Sequence, residues 1–310
     1  MPIDPFETSR LLYPAPSKIY LIPFYILQQW HCNRRYALRW LSASSNLEES
    51  PMRSFTQRAV FAAALGGAAL ASTGASSETP DAPKPTVVLV HGAFADGSAW
   101  NKVIPLLQEK GLTVVSVQNP LTSLADDVAT TRRMLDNQTG PVVLVGHSWG
   151  GVVITEAGQH ERVKALVYLA AFAPSEGQSV ADVSKDYPPP SGFEHIFADK
   201  EGFLTLSLEG VSKHLAPDVP ADQTRLMAAT QTPTRGKNFE EKVTTAAWKT
   251  RPSWYVVSEQ DRMLQPALQT AMAKKISAHV VSLPAGHTPQ ISQPAEVAKV
   301  ILAATAAASK

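Results

Sequence analysis

The stretch "VVLVGHSWGGVVI", Val142 to Ile154, constrains the fold more than any other part of this 310-residue chain. Val142, Val143, Leu144 and Val145 form an aliphatic run without polar alternation, the pattern of a strand buried on both faces. The residues after Gly150, "GVVITEAG", suit a helix packed back on that strand. Ser148 therefore stands on a sharp strand-to-helix turn. Its backbone is forced into a strained conformation there, and neighbours with side chains would collide. Gly146 and Gly150 remove the collisions, so Gly146-His147-Ser148-Trp149-Gly150 reads as the G-x-S-x-G turn that presents a serine hydroxyl above a sheet. The bland alternative is a Gly-rich turn with an incidental serine. The strand ending directly before the match and the helix beginning directly after it favour the first reading.

From Pro85 onward, strand-like and helix-like segments alternate, as in a parallel sheet covered by helices. "TVVLV" (86–90) and "LTVVSVQ" (112–118) read as strands, separated by a helix from Ser98, its N-cap, to Gly111 that Pro105 perturbs. A second helix opens with the capping-box spacing Ser123 to Asp126. After the Val142 strand and its helix comes "VKALVYLAA" (163–171). The rhythm breaks over residues 173 to about 250, an interruption of the kind that forms a cap. It resumes with "SWYVVSEQD" (253–261), the helix 267–276, the strand "HVVSLP" (279–284) and a last helix, "PAEVAKVILAATAAA". The expected architecture is α/β, with about six mostly parallel strands, helices on both faces, and a cap inserted after the fourth strand.

A length of 310 residues with 44% hydrophobic and 18% charged content supports a sizeable core. The net charge of +1 leaves no basic stripe for nucleic acid. Cys32 is the only cysteine, so no intramolecular disulfide forms. No H-E-x-x-H, C-x-x-C or P-loop pattern occurs, and no metal or other cofactor is expected. Residues 1–51 have no sustained period and read as a non-native or disordered extension. "IYLIPFYIL" within them is too short to span a bilayer. From Met52, two arginines precede the apolar stretch Ala59 to Ala71 and small residues follow, the pattern of a secretory signal peptide over 52–75. Residues 76–85 read as a linker and 86–310 as the folded domain. The expected location is periplasmic or secreted, without a stable membrane anchor.

A serine hydroxyl is a weak nucleophile at neutral pH and needs a base, with a third group to orient that base. In a doubly wound sheet such groups gather at the carboxyl ends of the strands. Of eight histidines, only His91 and His287 follow strands in open loops. His287 is the expected base, since Ala285-Gly286 can swing its ring toward Ser148. His91 is expected to brace the loop whose amides face the nucleophile. Asp261 is the expected acid, followed by Glu259 and then Glu176. The oxyanion of a tetrahedral intermediate also needs donors. The backbone N–H of Trp149, at the start of a helix, is one. The backbone N–H of Ala93 is the other. Phe94, Trp149 and, less favoured, Trp248 are candidates to line an apolar substrate pocket.

The pieces "VLVHGAFADGSAW", "LVGHSWGGVVI", "VVSEQDRML" and "AGHTPQISQP" together resemble the α/β-hydrolase superfamily. More narrowly, they are similar to its compact branch of plant methylesterases, hydroxynitrile lyases and bacterial carboxylesterases. The chain order Ser148, Asp261, His287 matches that family's triad. The lyases carry a hydroxyl residue and a lysine where this chain has Gly92 and Thr288, which argues against cyanide chemistry. The resemblance implies a serine esterase acting on a small to medium apolar ester through an acyl-serine. The rival readings are a ligand-binding protein without useful turnover and a cofactor-free oxygenase on the same fold. Oligomeric state has no signature in the sequence.

Overall fold

The computed structural model describes residues 84–309. The expected extension at 1–51, the signal segment at 52–75 and nearly all of the linker at 76–85 lie outside the described residues. Six strands form one sheet: β1 (Thr86–Val90), β2 (Val114–Val117), β3 (Val142–His147), β4 (Val163–Leu169), β8 (Ser253–Ser258) and β9 (His279–Leu283). Their order is β2-β1-β3-β4-β8-β9, and every pair is parallel.

Strand side chains alternate between faces, so a strand covered on both sides must be apolar at every position. In β1, Val87 and Leu89 enter one core with Val143, Val145, Val167 and Val256, while Val88 and Val90 enter the other with Leu144, Leu166 and Tyr255. Helices Leu124–Asp136, Gly150–Ala157 and Pro266–Lys275 cover the second face, and Ile104–Gln108 and Pro294–Ala308 cover the first. Burying each Val or Leu fully contributes about 1.5–3 kcal/mol. A polar residue at Val145 would lose that and also find no partner. Among the described residues no helix is long and apolar enough to cross a membrane.

Local chemistry moved several boundaries. The helix expected from Ser98 to Gly111 is two pieces, a 3₁₀ turn Gly97–Trp100 and the helix Ile104–Gln108. Pro105 offers no N–H and fits only a first turn, so the helix restarts around it. Asp96, not Ser98, is the cap, its Oδ1 accepting the Ser98 amide at 2.6 Å. At the second helix, Ser123 Oγ accepts the Asp126 amide at 3.0 Å. The return bond is missing because the Asp126 carboxylate takes the Thr122 hydroxyl at 2.7 Å. The complete reciprocal box occurs at Ser179 and Asp182, opening helix Val180–Ser184.

Between β4 and β8 the chain leaves the sheet. This segment holds helix Val180–Ser184, a 3₁₀ turn Ser191–His195 and an antiparallel sheet of β5 (Ile196–Ala198), β6 (Phe203–Leu206) and β7 (Thr234–Arg235). Between β6 and β7 lie a π-helical turn Val211–Leu215 and helix Ala221–Thr230. The 3₁₀ turns Gly236–Glu240 and Ala247–Lys249 complete it.

Candidate active site

β3 ends at His147, and Ser148 follows with φ 52°, left-handed backbone that few residues with a Cβ adopt. The turn is held from three sides. The Ser148 amide donates to Leu169 O at 3.1 Å, and its carbonyl accepts from Gly151 and Phe172 at 3.0 and 3.1 Å. A Cβ on Gly150 would lie 2.4 Å from Val90 O, so only glycine lets the helix start this close to β1. Gly92 meets the same limit, since its Cβ would stand 2.8 Å from Ser148 Cβ. The loop after β1 is thereby pressed against the serine.

His287 follows β9 and Asp261 follows β8. His287 Nε2 lies 2.8 Å from Ser148 Oγ, and its Nδ1 lies 2.7 Å from Asp261 Oδ2. A carboxylate only accepts, so Nδ1 carries the proton and Nε2 is left to accept from the serine hydroxyl. All three side chains are buried. Asp261 is held by four donors. Its Oδ1 accepts the amides of Met263 and Leu264 at 2.7 and 2.8 Å. Its Oδ2 accepts Gln269 Nε2 at 2.7 Å besides His287. Gln269 is buried, and its Oε1 accepts the Ser258 amide at 2.9 Å, which ties the carboxylate to the end of β8.

Two further histidines stand behind His287. His147 Nε2 donates to the His287 carbonyl at 2.8 Å. Burial, with the neighbouring His287 second, holds its pKa well below the usual imidazole value, so it is a neutral donor. His91 Nε2 accepts the Asn119 amide at 3.0 Å, which leaves its Nδ1–H to donate to Gly92 O at 2.9 Å. Burial lowers its pKa too, consistent with a neutral brace of the Gly92-Ala93 loop. Among the described residues, the amides of Ala93 and Trp149 donate to no protein acceptor. The Trp149 amide is one of the donors a helix start always leaves free.

The runner-up acids stand apart. Glu259 is solvent-exposed, and Glu176 pairs with Lys249 at 3.0 Å. The expectation for the Trp149 side chain needs correction. Its indole is fully buried in the core, where Nε1 donates to Asp127 Oδ2 at 2.7 Å, so it lines no pocket. The helix start turns this side chain down onto the sheet and presents only the backbone to the serine. Trp248 is half-buried with Nε1 on Pro174 O at 2.9 Å, a packing role. Phe94 does line a cavity, one of about 320 Å³ shared with Leu226, Met227 and Ile291. A second cavity of about 230 Å³ lies between Phe172, Tyr187, Phe193 and Met263. Neither has Ser148 or His287 in its wall. Gln269 and Asp127 escaped the sequence reading, because a polar residue inside a helix carries no spacing signal for its partner.

Known proteins resemble this chain in sequence and in fold. A family model described as "Alpha/beta hydrolase family" matches residues 87–300. A "Probable hydrolase R7" of a Phoma species is 29% identical over 244 residues, covering 70% of this chain and 97% of that protein. "Pyrethroid hydrolase" of Sphingobium wenxiniae is 25% identical over 256 residues, covering 69% and 85%. "Methylesterase 8" of Arabidopsis thaliana is 24% identical over 242 residues, covering 70% and 88%. Among solved structures, a pyrethroid hydrolase superposes with a TM-score of 0.63 at 24% identity, covering 71% of this chain and 96% of the other. With the parallel sheet, the serine turn and the match over most of the described residues, the chain belongs to the alpha/beta hydrolase family.

Proposed function

We propose that the protein is a serine carboxylesterase in which Ser148 is the nucleophile, His287 the general base and acid, and Asp261 the orienting carboxylate. One observation carries this reading: an unbroken hydrogen-bonded chain from Ser148 Oγ through His287 to Asp261, with proton positions that leave Nε2 able to accept. Ser148 Oγ attacks the ester carbonyl while its proton passes to Nε2. The oxyanion formed is held by the amides of Ala93 and Trp149, donors fixed before the reaction begins. Collapse breaks the bond to the alcohol oxygen, which takes the proton from His287. Water, deprotonated by the same nitrogen, then attacks the acyl-serine and releases the acid. Asp261 keeps its charge throughout and stabilises the imidazolium.

The relatives named hydrolase and methylesterase support ester cleavage as the reaction class. A small to medium ester is the inferred substrate: Phe94, next to Ala93 in the chain, shares with Leu226, Met227 and Ile291 the apolar side of a cavity of about 320 Å³ whose other side carries Asp96, Lys102 and Gln223. The test is p-nitrophenyl ester turnover over a series of acyl lengths, with fluorophosphonate labelling of the wild type and Ser148→Ala. Labelling at Ser148 and a loss of roughly a million-fold in kcat on substitution are expected. A Ser148→Ala protein that keeps a tenth of the wild-type rate overturns the acyl-serine.

A further inference from the structure

Two residues beside the site hold left-handed backbone without being glycine: Phe94 at φ 58° and Leu121 at φ 57°. Such conformations persist only where neighbours over-determine them. Both are held by one stretch of the inserted segment, Thr234 to Phe239. Thr234 Oγ1 accepts the Phe94 amide at 3.3 Å. Leu121 O accepts the Arg235 amide at 2.9 Å and Asn238 Nδ2 at 3.0 Å. The Leu121 amide donates to Asp127 Oδ1 at 2.8 Å, and Asp127 Oδ2 accepts Trp149 Nε1 at 2.7 Å. The Phe239 ring meets the Trp149 ring edge-on, with centroids 5.6 Å apart. Phe94 directly follows Ala93, and the indole belongs to the residue that carries the other free amide. Thr234, Asn238, Asp127, Leu121 and Trp149 are all buried, so water does not compete for these bonds.

We propose that Thr234–Phe239 is a strap that positions both oxyanion amides, Ala93 through Thr234 and Phe94, and Trp149 through Asn238, Leu121, Asp127 and Phe239. None of these side chains reaches the reacting atoms; they are positioning residues, and the strap rests on the acyl-serine reading. Asp127 fits the part. Burial pushes its pKa up to about 6, yet an apolar residue there would leave Leu121 N–H and Trp149 Nε1–H without acceptors. The carboxylate is the group that accepts both.

Thr234→Val removes the acceptor for Phe94 at equal volume, and Asp127→Asn keeps the shape but can accept from only one of its two donors. Each is expected to lower kcat on p-nitrophenyl acetate about 10- to 100-fold, less than removing a donor outright, with KM within about twofold. Affinity for an alkyl trifluoromethyl ketone, which forms a tetrahedral adduct, falls by the same factor. Affinity for the matching methyl ketone stays constant. Thr234→Ser restores the oxygen and stays within about threefold of wild type. A merely structural role would lower thermal stability without separating the two ketones. If Thr234→Val fails to fold, Asp127→Asn carries the test alone. Folded variants with wild-type kcat, or equal losses for both ketones, overturn the strap while Ser148→Ala is still inactive. Activity that survives Ser148→Ala overturns the acyl-serine and the strap together.

Discussion

Asp261→Asn tests the orienting role proposed for this carboxylate, and the structure dictates how it fails. Four donors face the carboxylate: the amides of Met263 and Leu264 on Oδ1, and Gln269 Nε2 and His287 Nδ1 on Oδ2. Asparagine retains one acceptor oxygen. Turned with its NH₂ toward Oδ1, it would leave two main-chain N–H groups unpaired, at about 1–3 kcal/mol each. Turned toward Oδ2, it strands less. Gln269 Nε2 keeps its bond to Leu264 O at 2.8 Å, and His287 can move its proton from Nδ1 to Nε2 and accept from the amide. The second arrangement is favoured, and it places a proton on the nitrogen that must receive one from Ser148. The expected loss in kcat is about ten-thousand-fold, or ~5.5 kcal/mol in the barrier. Steady-state kcat on a p-nitrophenyl ester measures it, with Glu259→Gln alongside. Glu259 is exposed, so its variant should stay within about twofold. An Asp261→Asn enzyme retaining a tenth of its activity, or the reverse ranking of the two variants, refutes the reasoning.

Gly150→Ala places a Cβ 2.4 Å from Val90 O, so the helix must back away from β1. At about 1–3 kcal/mol for overpacking, Tm should fall roughly 2–12 °C by calorimetry, with kcat falling too; an unchanged Tm defeats the close-approach argument. Asp127 gives a pH signature. Burial chiefly, with Asp126 and Glu241 adding, raises its pKa from 3.8 to about 6, so the folded state favours the protonated carboxyl. The penalty of ionisation is absent below the unfolded value, grows as pH rises through about 4 to 6, and is constant above. Stability of wild type relative to Asp127→Asn should therefore fall by about 3 kcal/mol across that window in urea titrations, and a flat difference counts against it. Export through the segment at Met52 predicts a mature N-terminus near Ser72 or Ser76, read by N-terminal sequencing of exported protein. An intact chain starting at residue 1 in the cytoplasm sinks that expectation.

The central strands were legible because β1, β3 and β8 are buried on both faces and carry Thr86, His147, Ser253 and Ser258 only at their ends, which leaves the runs between unbroken. The edge strand β9 was legible for another reason, its Val280-Val281 pair between turn residues, although both valines are exposed. That Ser148, Asp261 and His287 come together could be read from their places after strands, since a parallel sheet brings strand ends together whatever their separation in sequence. What hid was the second party to each bond. Asp96 caps the 3₁₀ turn that contains Ser98, and the helix with Pro105 starts only at Ile104, past both residues. Nothing in "GHSWGG" says whether the tryptophan turns outward to substrate or inward to Asp127, because that depends on a carboxylate from a helix twenty-two residues earlier. Thr234 in "QTPTRG" and Gln269 in "ALQTAM" look like any polar residue until the fold supplies a buried donor to satisfy.

The inserted segment leaves from the end of β4 and returns into β8, its immediate neighbour in the sheet. Ala170 still donates to Val256 O at 2.9 Å, so the two ends of the excursion are already joined by the strand ladder. Doubling the length of such a loop costs only about 0.6 kcal/mol in closure entropy. The sheet is blind to how long the excursion is, but the loops bearing Asp261 and His287 lean on what it contains: Asp218 Oδ2 accepts the Gly286 amide at 2.9 Å, and the Gly192 amide donates to Arg262 O at 3.1 Å. Within the stretch from Pro174 to β7, length and sequence are free to vary only away from those contacts, and there a graft can reshape the surface over the sheet while leaving the Asp261 and His287 loops in place. At Thr234 the constraint tightens again, since the visiting chain must supply a hydroxyl to Phe94 and a pair of donors to Leu121.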